Sequence, residues 1–322
     1  MRASPPRLPH VPRRQRGVAL IMAVLIVALA TILAVNVAFR SVLDQRRSAT
    51  LFGSDQAFEI ALGAEALAAE GLRRDAQNSQ TDHLGEAWAK PVILPIDDGI
   101  GTVEGRLEDM QGRFNLNNLV FPDGTPNPTA IKQFERILVM AGLEGDWATT
   151  MADWIDEDID PGFPNGAEDT TYTGQNPPHL AANMPVTRIS EMLQLPGFTP
   201  DRFAKIKPYI AALPVGAKLN VCTAPGIVLD ALSEAERQFS LNPDYLKQQR
   251  QAVGCFPKLT DLQATLGAAE YDKVKNSLAE TSSYFGATIW VTIGTTDFTL
   301  YSLLARGGSG QVRPILRSIG TA

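Results

Sequence analysis

Seven carboxylates, Asp153, Asp156, Glu157, Asp158, Asp160, Glu168 and Asp169, fall within 17 residues that hold no lysine or arginine, and the next basic side chain is Arg188. Pro161, Gly162, Pro164, Asn165 and Gly166 keep the middle of this stretch from being helical. Many carboxylate oxygens on an irregular loop are the donors a hard cation takes, and calcium suits them best. Asp156, Asp158 and Asp160 alternate as an EF-hand loop opens, but no glycine occupies the sixth loop position and Ala167 stands at the twelfth, so this is not an EF-hand. On charge alone two readings stand: a calcium loop and a solvated acidic loop.

No other residues form a chemical constellation. The histidines are His10, His83 and His179, scattered among basic, polar and proline-rich surroundings. Ser309 lies in the glycine turn Gly307-Gly308-Ser309-Gly310 without the strand-to-helix elbow of a hydrolase nucleophile. Phosphate-cradling glycine loops are missing, and the chain does not read as an enzyme. Two cysteines, Cys222 and Cys255, have no histidine near enough in sequence for a zinc site. If both lie outside the cytoplasm they are expected to pair, and a loop of this length would favour the folded state by roughly 3–4 kcal/mol.

What places those cysteines outside is the start of the chain. Arg2, Arg7, Arg13, Arg14 and Arg16 precede Gly17 with no acid among them, and Val18 to Phe39 then runs 22 residues without a charge. A helix of that length matches the hydrocarbon thickness of a bilayer. The arginines would hold the N-terminus in the cytoplasm and send the rest outward. No small-x-small cleavage pattern follows the apolar run, so an ordinary secretory signal does not fit; an uncleaved signal anchor does.

Beyond the apolar run, residues 41 to about 75 are rich in helix formers, and Phe58, Ile60, Ala61, Ala64 and Leu67 make a stripe at helical spacing. Residues 88–113 turn to strand character around Thr102, Val103, Arg106 and Leu107. Thr288–Ile293, Phe298–Leu304 and Val312–Leu316 predict an antiparallel meander, expected to pair with the strand near residue 103 and to pack on the helix. The intervening stretch of about 165 residues has almost no strand signal.

That stretch contains an internal echo: Ile137-Leu138-x-Met140-Ala141-Gly142-Leu143 matches Met192-Leu193-x-Leu195-Pro196-Gly197-Phe198, and Leu259 to Leu278 forms a weaker third copy. Each reads as a helix, a glycine hairpin and a helix. Such units can grip DNA backbone, but Gly142-Leu143-Glu144-Gly145-Asp146 is acidic. The net charge of −6 becomes −11 once the five leader arginines are lost. Nucleic acid is therefore not expected as a partner.

The order basic leader, glycine, long apolar helix resembles the type IV prepilin signal. Met22 then falls at the fifth mature position, where most members of that superfamily carry glutamate. The run Asp153-Trp154-Ile155-Asp156, Asn165-Gly166-Ala167-Glu168-Asp169, Tyr172, Pro177-Pro178, Asn183 and Ser190-Glu191 is similar to the signature segment of type II secretion system protein K, the large minor pseudopilin. Gln111 to Asn117, Leu195-Pro196-Gly197-Phe198, Leu219-Asn220-Val221 and Thr223-Ala224-Pro225 extend the resemblance over nearly the whole chain, though Cys222 stands where the family run Asn-Val-Asn-Thr-Ala-Pro has asparagine.

The resemblance implies an α+β fold. Its parts would be a leader (1–17), the transmembrane half of a long helix (18–39), a pilin-like head (40–113 and 281–322) in which the helix packs on an antiparallel sheet, and an all-helical insertion (114–280) with helix-hairpin-helix-like repeats. It also implies cleavage by prepilin peptidase between Gly17 and Val18, methylation of the new terminus, and an inner-membrane subunit with its C-terminal domain in the periplasm. Calcium would be held by Asp156, Asp158, Asp160, Glu168, Asp169 and Asn183. The implied partners are minor pseudopilins I and J and the major pseudopilin, with this subunit at the pseudopilus tip.

Overall fold

The computed structural model describes residues 17–96, 99, 101–234, 237–308 and 310–320. The leader arginines and Ser309 lie outside these. The chain divides into two compact units, residues 1–56 and 57–322. Helix α1, Val18–Asn78, is 61 residues long and contributes to both. In the first unit its apolar side chains are bare, from Val18 and Met22 (59% exposed) to Phe39. The apolar stretch can cross a membrane by length and composition, and none of it is covered by protein.

The second unit begins with the rest of α1, followed by strands β1 (Val92–Ile96) and β2 (Gly101–Asp109). The insertion follows, with β3 (Phe114–Asn115), α2 (Pro128–Met140), α3 (Trp147–Ile155), α4 (Asp169–Tyr172), α5 (Pro200–Ile206), β4 (Ile210–Ala211) and β5 (Leu219–Asn220). It continues through α6 (Gly226–Asp230), α7 (Pro243–Val253), α8 (Leu259–Leu266), α9 (Ala268–Val274) and β6 (Leu278–Ala279). The chain then returns to the head as β7 (Tyr284–Ile293), β8 (Thr296–Arg306) and β9 (Val312–Ile319). The head sheet is antiparallel, in the order β1-β2-β7-β8-β9. The C-terminal meander therefore pairs with the strand through Val103, as expected.

Alternation along β7 turns Phe285, Ala287, Ile289 and Val291 inward. Ala57 and Ala61 of α1 pack on Val103, Ile289, Val291 and Leu300, and Leu72 packs beside Trp88, Phe285 and Leu304. The small alanines let helix and sheet approach closely. The buried helix face differs from the predicted stripe, since Leu67 is 63% exposed while Glu65 is buried. Glu65 can lie inside because Arg317 of β9 reaches it at 2.7 Å and Ser302 donates a further hydrogen bond.

One core fills the insertion, with Phe114, Phe134, Ile137, Met151, Tyr172, Met192, Ile206 and Leu262 among its members. The insertion, expected to be all-helical, also holds two short parallel strand pairs, β3 with β4 and β5 with β6, which join segments distant in sequence. Asn117 uses its amide as a backbone substitute. Its Nδ2 donates to the carbonyls of Val186 (2.9 Å) and Leu213 (2.8 Å), and its Oδ1 accepts from Val186 N–H (2.8 Å). Glycines 142, 197 and 267 have φ of +75°, +75° and +78°, a backbone region that favours glycine. The first and third copies are helix pairs, α2–α3 and α8–α9, whereas the second opens with a 3-10 turn, Ile189–Gln194, before α5. The first two hairpins meet edge to face through Trp147 and Phe198 at 5.2 Å, and Arg202 pairs with Glu144 at 3.3 Å. Cys222 and Cys255 form the expected disulfide, 33 residues apart in sequence.

Candidate metal centre

Helix α3 ends where the acidic stretch begins: Asp153 sits in its last turn, and Asp156 follows it, its N–H still bonded to the Ala152 carbonyl at 2.9 Å. The loop then folds back on Asp153, whose Oδ2 accepts N–H groups from Gly162 (2.9 Å) and Ala167 (2.8 Å). Glycine is required at this approach, since a Cβ on Gly162 would lie 2.7 Å from Asp153 Oδ1. Thr150 fastens the loop from α3 through a hydroxyl bond to the Asn165 carbonyl, 2.9 Å.

The return brings Glu168 to the start of α4. Asp169 Oδ1 takes the Ala181 N–H at 2.9 Å, which leads the chain to Asn183. That residue holds φ of +45°. Its N–H bonds the Trp154 carbonyl and its Nδ2 bonds the Asp158 carbonyl, each at 3.1 Å. Trp154, Tyr172 and His179 form an aromatic wall, with Trp154 and Tyr172 5.0 Å apart.

Three carboxylates converge: Asp156, Asp158 and Glu168 offer oxygens that all lie within 4.8 Å of one another. Asp156 is 1% and Glu168 2% exposed. Asp156 Oδ1, both Glu168 oxygens and Asn183 Oδ1 are buried without a hydrogen-bond partner. No ion pair among the described residues reaches the group. Burial, and then the neighbouring carboxylates, push the Asp156 and Glu168 carboxyls up to about 7; burial and the same charges raise Tyr172. Buried, converging, partnerless oxygens are costly in a protein by itself. They suit a hard cation, and an all-oxygen donor set on a flexible loop suits calcium.

Of the six residues expected as ligands, the structure brings Asp156, Asp158 and Glu168 together; Asn183 is tied to the Asp158 carbonyl through its Nδ2, and its Oδ1 is buried without a partner. Asp160 lies outside the group and is exposed, its N–H donating to Asp158 Oδ1 at 2.8 Å. Asp169 spends one oxygen on Ala181. Asp153 is a scaffold, and the signal for that role was the pair of glycines, 162 and 166, behind it. A second set, Asp75, Asp82 and Glu86, also converges, but Arg306 pairs with Asp82 and lies 3.6 Å from Asp75.

A bare apolar helix continuing into a five-stranded antiparallel head, with a mostly helical stretch inserted between its strands β2 and β7, defines a pilin-like protein. A family model described as "Type II secretion system (T2SS), protein K" matches residues 112–215. Type II secretion system protein K of Pseudomonas aeruginosa is 36% identical, over 96% of this chain and 94% of its own length. The Klebsiella pneumoniae protein of the same name is 34% identical, over 92% and 94%. A chain in the crystal structure of the GspK-GspI-GspJ complex of enterotoxigenic Escherichia coli superposes with a TM-score of 0.75 at 26% identity, over 86% of this chain and all of that one. The chain belongs to the type II secretion system protein K family.

Proposed function

We propose that this protein is a minor pseudopilin that caps the periplasmic pseudopilus of a type II secretion system and helps start its assembly. What carries the reading is the likeness of head and insertion together to a chain of the GspK-GspI-GspJ complex. Minor pseudopilins I and J are then its immediate partners and the major pseudopilin lies below. Prepilin peptidase would cut between Gly17 and Val18, leaving the apolar helix in the inner membrane with the rest periplasmic. Met22 supplies no carboxylate to pair with a neighbour's terminal amine, which suits a subunit used once, at an end. The insertion adds bulk where another subunit would stack. Asp156, Asp158, Glu168 and Asn183 would hold calcium, whose charge would neutralise the cluster and tie the loop to the segment at 183. The test is N-terminal sequencing of the membrane-extracted protein together with its partners. A chain starting at Val18 that brings down I and J, and Gly17→Ala that blocks trimming and export, are expected. An intact Met1 terminus with normal export would end the reading.

A further inference from the structure

Where α1 ends, three carboxylates meet one guanidinium. Asp75, in the last turn of the helix, Asp82 and Glu86 each offer an oxygen, and these lie within 4.8 Å of one another. Arg306, at the end of β8, pairs with Asp82 and lies 3.6 Å from Asp75 Oδ2. The side chains of Asp75, Asp82 and Arg306 are 15%, 3% and 9% exposed, so little water screens the excess of negative charge. The same residues fasten the helix to the rest of the unit. The Ser79 N–H bonds the Asp75 carbonyl at 2.9 Å, the Asp82 N–H bonds the Glu280 carbonyl at 2.9 Å, and Asn220 Nδ2 donates to the Asp82 carbonyl at 2.9 Å. The segment 79–86 is thus held by α1 on one side and by the insertion on the other.

Hydrogen bonding decides which carboxyl takes a proton. Asp82 Oδ2 accepts the Ser282 N–H at 2.7 Å as well as Arg306. Glu86 Oε2 accepts the Trp88 indole N–H at 2.7 Å and the His83 N–H at 3.0 Å. Donors of this kind favour the charged form of both groups. Asp75 lacks them: its Oδ2 is buried without a hydrogen-bond partner. A negative charge in the last turn of a helix is unfavourable besides. Burial, and then the charges of Glu86 and Asp82, push the Asp75 carboxyl up to about 6, with Arg306 pulling the other way. His83 turns its Nε2 towards Glu86, at 3.8 Å. Arg74, Lys90 and Arg106 line the groove beside Asp75, where Arg74 pairs with Glu70 at 2.7 Å, Arg106 lies 3.6 Å from Glu108, and Lys90 is exposed.

We infer that Asp75 is a proton-operated latch between the last turn of α1 and the segment 79–86. With its proton, it donates a hydrogen bond to the Asp82 carboxylate and the turn stays seated. When the proton leaves to solvent, Asp75 becomes the third negative charge around one guanidinium, and the turn and the segment part. The unfolded chain releases the same proton near 4. Between the two values the folded state binds more protons, so the latch's contribution to stability falls as pH rises from about 4 to about 6 and is level above that.

The experiment takes the full chain in detergent, with calcium in every sample so that Asp156 and Glu168 contribute equally to each. It follows amide exchange at Ser79 and Asp82, corrected for the intrinsic rate at each pH, which reports local opening, and it records the melting temperature. In the parent, both amides should exchange at least tenfold faster at pH 7.5 than at pH 5, with a midpoint near 6. Asp75→Asn, a neutral donor of the same shape at every pH, should exchange slowly at both and melt above the parent at pH 7.5. His83→Gln should respond to pH as the parent does. A parent whose exchange at these amides ignores pH overturns the inference. So does an Asp75→Asn chain that keeps the pH response, or that melts no higher than the parent at pH 7.5. A response lost in His83→Gln would make the histidine the sensor and overturn it too.

Discussion

Two of the places where the molecule buries carboxylates treat them in opposite ways. At the junction of head and insertion, Asp109 is 8% exposed, and protein donors surround it. Its Oδ1 accepts the Gln111 N–H at 2.8 Å, and its Oδ2 accepts Asn220 Nδ2 (2.9 Å), the Thr223 hydroxyl (2.5 Å) and the Ser282 hydroxyl (2.7 Å). Burial raises its carboxyl, and these four bonds pull against that. In the acidic loop Asp156 and Glu168 expose even less surface, 1% and 2%, and three of their four oxygens have no partner. The junction completes itself with protein groups; the loop leaves these oxygens without protein partners.

The largest break in this comparison should come from removing calcium. At a thousandfold excess over its dissociation constant, a bound ion stabilises by about 4 kcal/mol, on the order of 10 °C in melting temperature for a unit of this size. Chelation should lower the melting temperature of the full chain in detergent by that order. Glu168→Gln should melt higher than the chelated parent, because it removes a repelling charge, and should lose most of the calcium response. A parent melt indifferent to chelator would remove the metal reading. Asp109→Ala should cost about 3 kcal/mol, since it strands four donors, and the cost should be the same with and without calcium.

pH sharpens the contrast. Without calcium, Asp156 and Glu168 hold protons up to about pH 7, while in the unfolded chain they release them near 4. Between those values the folded state binds more protons, so stability falls as pH rises through the window and levels off above about 7. Protons and calcium then substitute for each other. The shift on adding calcium should be large at pH 8 and small at pH 5, measured by thermal melts in matched buffers; equal shifts would show that these carboxyls are not the ones the ion relieves.

The sequence exposed the two regions unequally. The carboxylate run, the apolar helix and the meander were legible because each is a local pattern. Which carboxylates turn inward was not: Asp153 becomes a scaffold, and Asp156 and Glu168 part from Asp160 and Asp169, only where Gly162 folds back, a matter of close approach and not of spacing. The junction left no local trace, since Asp109 meets Asn220 across 111 residues and Glu65 meets Arg317 across 252. Leu67 fits the helical stripe by period, yet it stays 63% exposed, while Glu65, paired with Arg317, lies on the inward face.

The smallest expected effect tests how finely the site is drawn. Asp158 and Asp160 are both exposed, two residues apart, and equal by charge. Geometry separates them: Asp158 offers an oxygen to the converging group and Asp160 does not. An exposed charge near a bound ion still helps through space, by well under 1 kcal/mol at physiological salt. Asp160→Asn should therefore weaken calcium binding less than threefold. Asp158→Asn, which removes a negative charge from the converging group itself, should weaken it at least tenfold, both measured by calcium titration of the detergent-solubilised protein. Equal losses would mean that the loop attracts calcium by diffuse charge, and that burial of Asp156 and Glu168 has another cause.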